Sequence, residues 1–144
     1  MKADRLHTAV ILYDGICGLC NRFVKFVLRC DRDDAFQFAP LQSDFARDLL
    51  RRHGLSADDL DTVYLVLDRD GPREQILARS EAVAEVLRRL GGMWKLAGRI
   101  LEWLPRPARD LAYRMVASNR YRVFGRYNTC PLPREPDRRK FIAI

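Results

Sequence analysis

Tyr13-Asp14-Gly15-Ile16-Cys17-Gly18-Leu19-Cys20 decides how the rest of the chain is read. An apolar run, Ala9 to Tyr13, leads into it, and an amphipathic helical pattern, Asn21 to Cys30, leads out. The order is strand, tight turn, two cysteines, helix. A C-x-x-C at the point where a strand turns into a helix reads as a dithiol redox motif. The first amides of a helix have no partner inside it, and the aligned peptide dipoles place partial positive charge there. A thiolate at that point is stabilised, so more of the nucleophile exists at neutral pH. In a first helical turn, Cys17 and Cys20 share one face, where a disulfide can close between them.

Outward from the motif, Leu19, Phe23, Phe26 or Val27, and Cys30 follow the spacing of a helix face, with Arg22, Lys25 and Arg29 on the other side. Asp31 to Asp34 is a charged break. Phe36 to Leu41 alternates as a second strand. Ser43 is a candidate N-cap for a helix over Phe45 to His53, which Gly54 should end in the left-handed conformation. Thr62 to Asp68 is rich in β-branched and apolar residues and predicts a central strand. Arg69-Asp70-Gly71-Pro72 is a turn, with Arg73 to Ala78 as the hairpin partner. Ser80 opens another helix, striped by Val83, Ala84, Val86, Leu87 and Leu90 and ended by Gly91-Gly92. The predicted order is β-α-β-α-β-β-α, which one sheet with helices on both faces satisfies.

Residues 1–92 thus form an α/β core, and residues 93–144 read as a helical extension with a basic tail. Met93 to Leu104 is a broad apolar helix. Pro107 is suited to the first turn of the next helix, which runs through Leu111, Ala112, Met115 and Val116. Asn119 to Tyr127 is basic and aromatic, Pro131 to Pro136 is extended, and the tail beyond is expected to be mobile. These helices need another surface to bury against. The extension is therefore expected to pack on the core as one structural domain, burying Trp94, Leu96, Ile100, Leu101 and Leu104. Tyr121 to Tyr127 should cross back over the body.

Composition bounds the class. The chain has 144 residues, 48% of them apolar, which suits a globular domain and excludes a disordered one. No run of about 18 uncharged apolar residues occurs, so no membrane span is expected. Met1 to His7 is short and carries Asp4, unlike a secretory signal, so the cytoplasm is the expected compartment. Four cysteines are too few for a disulfide scaffold. The net charge of +7 sits in the last 40 residues, which carry 10 Lys and Arg against 3 Asp and Glu. Such asymmetry suits contact with an acidic partner, nucleic acid or a membrane surface; the favoured and plainer reading is a solvated basic face that aids solubility.

Y-D-G-I-C-G-L-C, then F-x-F-x-x-L-Q-S at Phe36 to Ser43, then N-R-Y-R-x-F-G at Asn119 to Gly125, resembles the DCC family of predicted thiol-disulfide oxidoreductases. The family is named for an Asp-Cys-Cys signature, here Asp14, Cys17 and Cys20. The resemblance covers nearly the whole chain, including the late Cys130-Pro131-Leu132-Pro133, and implies a thioredoxin-like fold. One departure stands out. Such folds place a proline before the strand that faces the dithiol, whereas Thr62 here follows Asp61.

The more N-terminal Cys17 is the expected nucleophile, and Cys20 the thiol that resolves the mixed disulfide. The plainer reading is two cysteines that pack. Asp14 is a proton acceptor for Cys20 or simply a turn-former. Cys30 lies about 20 Å along the helix from Cys17, beyond disulfide reach, and belongs to the core. Cys130, in a loop before prolines, reads as structural or idle; the alternative is a further thiol brought in if the loop folds back. The cysteine spacing and the isolated His7 and His53 disfavour a metal, and no organic cofactor is implied. Arg120, Tyr121, Arg122 and Phe124 mix guanidinium and aromatic groups but match no nucleic-acid motif. The helix with Trp94 and Trp103 keeps peripheral membrane contact open.

The expected function is thiol-disulfide exchange on a protein or small-molecule disulfide, with an external reductant to recycle the dithiol. The alternative is a non-catalytic thioredoxin-like binding or redox-sensing module that docks on an acidic partner or a membrane. Oligomeric state is not legible.

Overall fold

In the computed structural model, residues 9–31, 36–55, 63–68, 74–125 and 140–142 are described. Strand β1 (Ala9–Tyr13) leads into helix α1 (Gly18–Cys30), followed by β2 (Phe36–Pro40), α2 (Asp44–Arg52), β3 (Tyr64–Leu67), β4 (Gln75–Ala78), α3 (Arg79–Leu90), α4 (Gly92–Trp103) and α5 (Arg106–Phe124). The four strands form one mixed sheet in the order β2-β1-β3-β4. β1 is parallel to β2 and antiparallel to β3, and β3–β4 is the antiparallel hairpin. This is a thioredoxin-like sheet with helices added after the core.

Every residue of β1 is buried, because the strand is central and covered on both faces. Ile11 and Tyr13 face α1 and α3, where Val24, Val27, Ala82 and Val86 meet them. Val10 and Leu12 face α2, against Ala46, Leu49 and Leu50. Alternation along one strand thus feeds two separate apolar layers. Ser43 caps α2 as expected, its Oγ accepting from Ala46 N at 3.2 Å. Gly54 follows with φ +70°, and Leu55 N donates to Leu50 O at 2.8 Å.

Several local details differ from the sequence reading. α1 begins at Gly18, three residues before the predicted helical pattern, with Cys17 as its N-cap and Cys20 in the first turn that the motif implied. α3 starts at Arg79 with no side-chain cap, and Ser80 Oγ, in its first turn, donates to Asp110 of α5 at 2.8 Å. α5 runs on to Phe124, so the basic-aromatic segment is helical as far as that residue. Residues 140–142, part of the tail expected to be mobile, are docked. Phe141 pairs in parallel with Phe38 on the edge strand β2, and Ile142 N donates to Phe38 O at 2.7 Å. Covering an open edge removes a site for unwanted strand pairing. Lys140 is buried with Asp31, 3.6 Å away, which fixes that end.

α4 lies along α3, and α5 lies across α1 and α3. Gly98 makes the α3–α4 approach close: a Cβ there would meet Ala84 O at 2.8 Å. Trp94 packs edge-on against Phe26 of α1, with ring centroids 4.7 Å apart. The expected burial of Leu96, Ile100 and Leu104 is overturned. They face solvent, with Trp103 89% exposed beside them. The helix is apolar on more than one side, and contact with α3 uses only the side that carries Gly98. Among the described residues, no helix is long and apolar enough to cross a membrane.

Candidate active site

The turn between β1 and α1 is held by side chains from three places. Asp14 Oδ1 accepts from Ile16 N at 3.2 Å, as an aspartate two residues before an amide commonly does. Gln42, just past β2, donates from Nε2 to the same Oδ1 at 2.8 Å and accepts from Gly15 N at 3.0 Å. Asn21, inside α1, donates from Nδ2 to Gly15 O at 2.9 Å and Cys17 O at 2.8 Å. Asp14 and Asn21 are buried, and buried polar groups are costly unless paired, so these bonds fix one turn conformation.

Cys17 is the N-cap residue of α1, with extended backbone (φ −82°, ψ 127°). Its Sγ occupies the place of a capping oxygen and accepts from Cys20 N at 3.4 Å. A thiolate there meets the free amides and positive dipole end of the helix. Cys17, Cys20 and Cys30 are free thiols. Cys20 is held well above the ordinary thiol range. The first cause is its side-chain hydrogen bond with Cys17, followed by burial and by charge on Cys17; a backbone bond from Asp14 opposes these, and the Asp14 carboxylate adds to them. Cys20 therefore remains the proton donor of the pair.

The expected exposure of the nucleophile is not found. Cys17 is fully buried and Cys20 is 6% exposed, and Asp14 is also fully buried. Gly125, the residue after α5, accepts from Gly18 N at 3.1 Å, so one orphan donor of α1 is taken by the end of α5. A second tie lies opposite the dithiol, where Val63 N donates to Tyr113 Oη at 2.9 Å. Arg79, also bonded to Val63, starts α3 at φ +57°, an uncommon conformation for a residue with a side chain.

Cys30 lies at the far end of α1, half-buried and away from the pair. Cys130, the Asp61–Thr62 step and residues 126–127 lie outside the described residues, as do the side chains of residues 120, 121 and 124. Among the described residues, no three His, Cys, Asp or Glu side chains converge as a metal site. Sequence reading passed over Gln42, Asn21 and Tyr113. Gln42 had a signal: β1 and β2 are parallel, so a polar residue after β2 emerges at the same sheet end as the motif. Tyr113 had none, since its bond spans 50 residues.

The chain matches the family described as DCC1-like thiol-disulfide oxidoreductase over residues 11–126. It is 35% identical to the uncharacterized protein YuxK of Bacillus subtilis over 142 residues, 99% of each chain. It is 38% identical over 123 residues to a chloroplastic DCC family protein of Arabidopsis thaliana, covering 85% of this chain and 69% of the relative. No solved structure matches significantly. The chain belongs to the DCC1-like thiol-disulfide oxidoreductase family.

Proposed function

We propose that this DCC1-like family member exchanges disulfides through Cys17 and Cys20, working as a reductase in a reducing compartment such as the cytoplasm. One observation carries the reading: Cys17 Sγ sits in the cap position of α1 with Cys20 N–H on it, 3.4 Å away. That setting favours a thiolate at Cys17.

The Cys17 thiolate attacks one sulfur of a substrate disulfide, RS–SR′. The R′S–S bond breaks, R′S⁻ takes a proton from solvent, and a Cys17–SR mixed disulfide forms. The hydrogen bond to the Cys17 thiolate and its charge then vanish. These are the first and third causes that hold the Cys20 thiol up, so Cys20 becomes more acidic at the step that needs its thiolate. Asp14, whose charge acts on Cys20, accepts the proton. Cys20 attacks Cys17 Sγ, RS⁻ leaves, and the Cys17–Cys20 disulfide closes. Two electrons pass from the dithiol to the substrate, and an external dithiol restores the enzyme.

Because Cys17 is fully buried, the Gly125 end of α5 moves aside before an external disulfide is attacked. The same burial favours a second reading, a redox-sensing module that reacts once and does not turn over. Turnover separates the two. With a small disulfide and excess dithiol, wild type is expected to cycle and Cys17→Ala to be inactive. Cys20→Ser is expected to accumulate a mixed disulfide on Cys17, seen by mass spectrometry. A Cys17→Ala variant that turns over like wild type would refute the assignment.

A further inference from the structure

Helix periodicity divides α4 into three sides. Trp94 and Gly98 turn toward the protein: Trp94 rests on Phe26 of α1, and a Cβ on Gly98 would strike Ala84 of α3. Met93, Leu96, Ile100 and Trp103, spaced by three and four residues, form a second side and are all exposed, and the exposed Leu104 extends it. Lys95, Arg99 and Glu102 form the third side and are exposed as well. The apolar side runs the length of the 12-residue helix, about 18 Å. Single exposed apolar residues are ordinary, but a contiguous stripe edged by charge marks a contact surface.

Charge selects what covers the stripe. Glu102 is paired with Arg88, 3.3 Å away, so Lys95 and Arg99 leave the charged side of α4 positive. The whole chain carries +7. A second copy docked through the same stripe would bring these cations against their own kind. The occupant is therefore apolar inside and acidic at its surface. An anionic bilayer is both, and it needs no groove of matching shape, whereas a protein that reads a helix stripe does. A helix lying in the bilayer interface sinks its apolar side to the acyl boundary, keeps Lys and Arg among the phosphates and sets Trp at headgroup level. We propose that α4 docks the protein on an anionic membrane surface, seating Met93, Leu96, Ile100 and Trp103 in the interface with Lys95 and Arg99 on lipid phosphates. Its 12 residues are too few to cross a bilayer, so the helix lies on the surface. This surface goes beyond disulfide exchange and does not depend on it.

Sedimentation of the full chain with vesicles is the test. The vesicles are phosphatidylcholine alone, or phosphatidylcholine with about one-third phosphatidylglycerol. Wild type is expected to bind the anionic vesicles at least about tenfold more strongly than the neutral ones, and high salt should weaken that binding. Its tryptophan emission should shift to the blue on binding. Trp103→Phe should lose most of the shift, because Trp94 is already packed on Phe26. Ile100→Asp should weaken partitioning by about tenfold or more, and Lys95→Gln combined with Arg99→Gln by about tenfold. These positions are exposed, so the variants are expected to keep the native Tm. Anionic vesicles that bind Ile100→Asp as well as wild type overturn the proposal and assign the binding to the basic tail. Wild type that binds neither vesicle also overturns it. A wild-type dimer split by Ile100→Asp would then give the stripe to a second copy, and a wild-type monomer would give it to an acidic protein.

Discussion

Gly18 donates its backbone N–H to the carbonyl of Gly125, 3.1 Å away. The first residue of α1 is thereby tied to the residue that follows the last helix. The extension is part of the dithiol's surroundings, and access to Cys17 is expected to depend on how firmly α5 is held.

Tyr113→Phe tests that dependence. It removes the acceptor for Val63 N–H while keeping the ring. We expect a stability loss of about 1 kcal/mol by denaturant melt and faster alkylation of the dithiol by iodoacetamide. Unchanged alkylation would show that α5 does not gate the site.

Stability should depend on pH through Cys20. Its thiol is raised in the folded state, so the folded protein holds the proton that the unfolded chain releases. The sign follows from linkage: this contribution is fully present below the ordinary thiol range and is lost as pH rises through and beyond about 9. Melts of the reduced protein between pH 7 and 10.5 should show a steeper fall in wild type than in Cys20→Ser. Parallel curves would remove the basis for treating Cys20 as the held proton donor.

Asp14 and Gln42 share one hydrogen bond but should separate by assay. Asp14→Asn keeps an acceptor for Ile16 N and Gln42 Nε2 and removes only the charge. We expect near-native stability and a mixed disulfide resolved roughly 100-fold more slowly. Gln42→Ala removes the acceptor of Gly15 N and one of the donors to Asp14 Oδ1. It should cost about 2 kcal/mol of stability. Stopped-flow resolution kinetics and urea melts give the two readouts; a resolution rate unaffected by Asp14→Asn would make Asp14 a turn-former alone.

Gly98→Val should loosen the extension. A side chain there drives into the Ala84 carbonyl and the Arg88 backbone, which cannot yield as a side chain can. Overpacking of this kind costs about 1–3 kcal/mol. The expected result is a lower Tm with altered tryptophan fluorescence, since Trp94 rests on Phe26 from the same helix. A variant as stable as wild type would mean that α3 and α4 can shift apart freely.

What the sequence by itself determined is the local order of the core. β1 was read to its observed ends, Ala9–Tyr13, and Ser43 and Gly54 bound α2 as expected. These features rest on hydrophobic periodicity and on bonds that reach only a few residues along the chain. The dithiol was legible for the same reason, since a turn, a cap and a first helical turn are short-range structures. Tertiary structure decided everything about its surroundings. Gln42 reaches Asp14 across 28 residues and Tyr113 reaches Val63 across 50, and the Gly18–Gly125 bond spans most of the chain. No periodicity encodes such pairings, because they depend on which faces meet once helices pack on the sheet. Thus Ser80, read only as the opening of a helix, bonds Asp110 of α5. Leu96 and Ile100 stayed in solvent because one face of α4 sufficed for its contact with α3. Cys17, placed by its own sequence at a helix end, is fully buried once the sheet and helices pack around it.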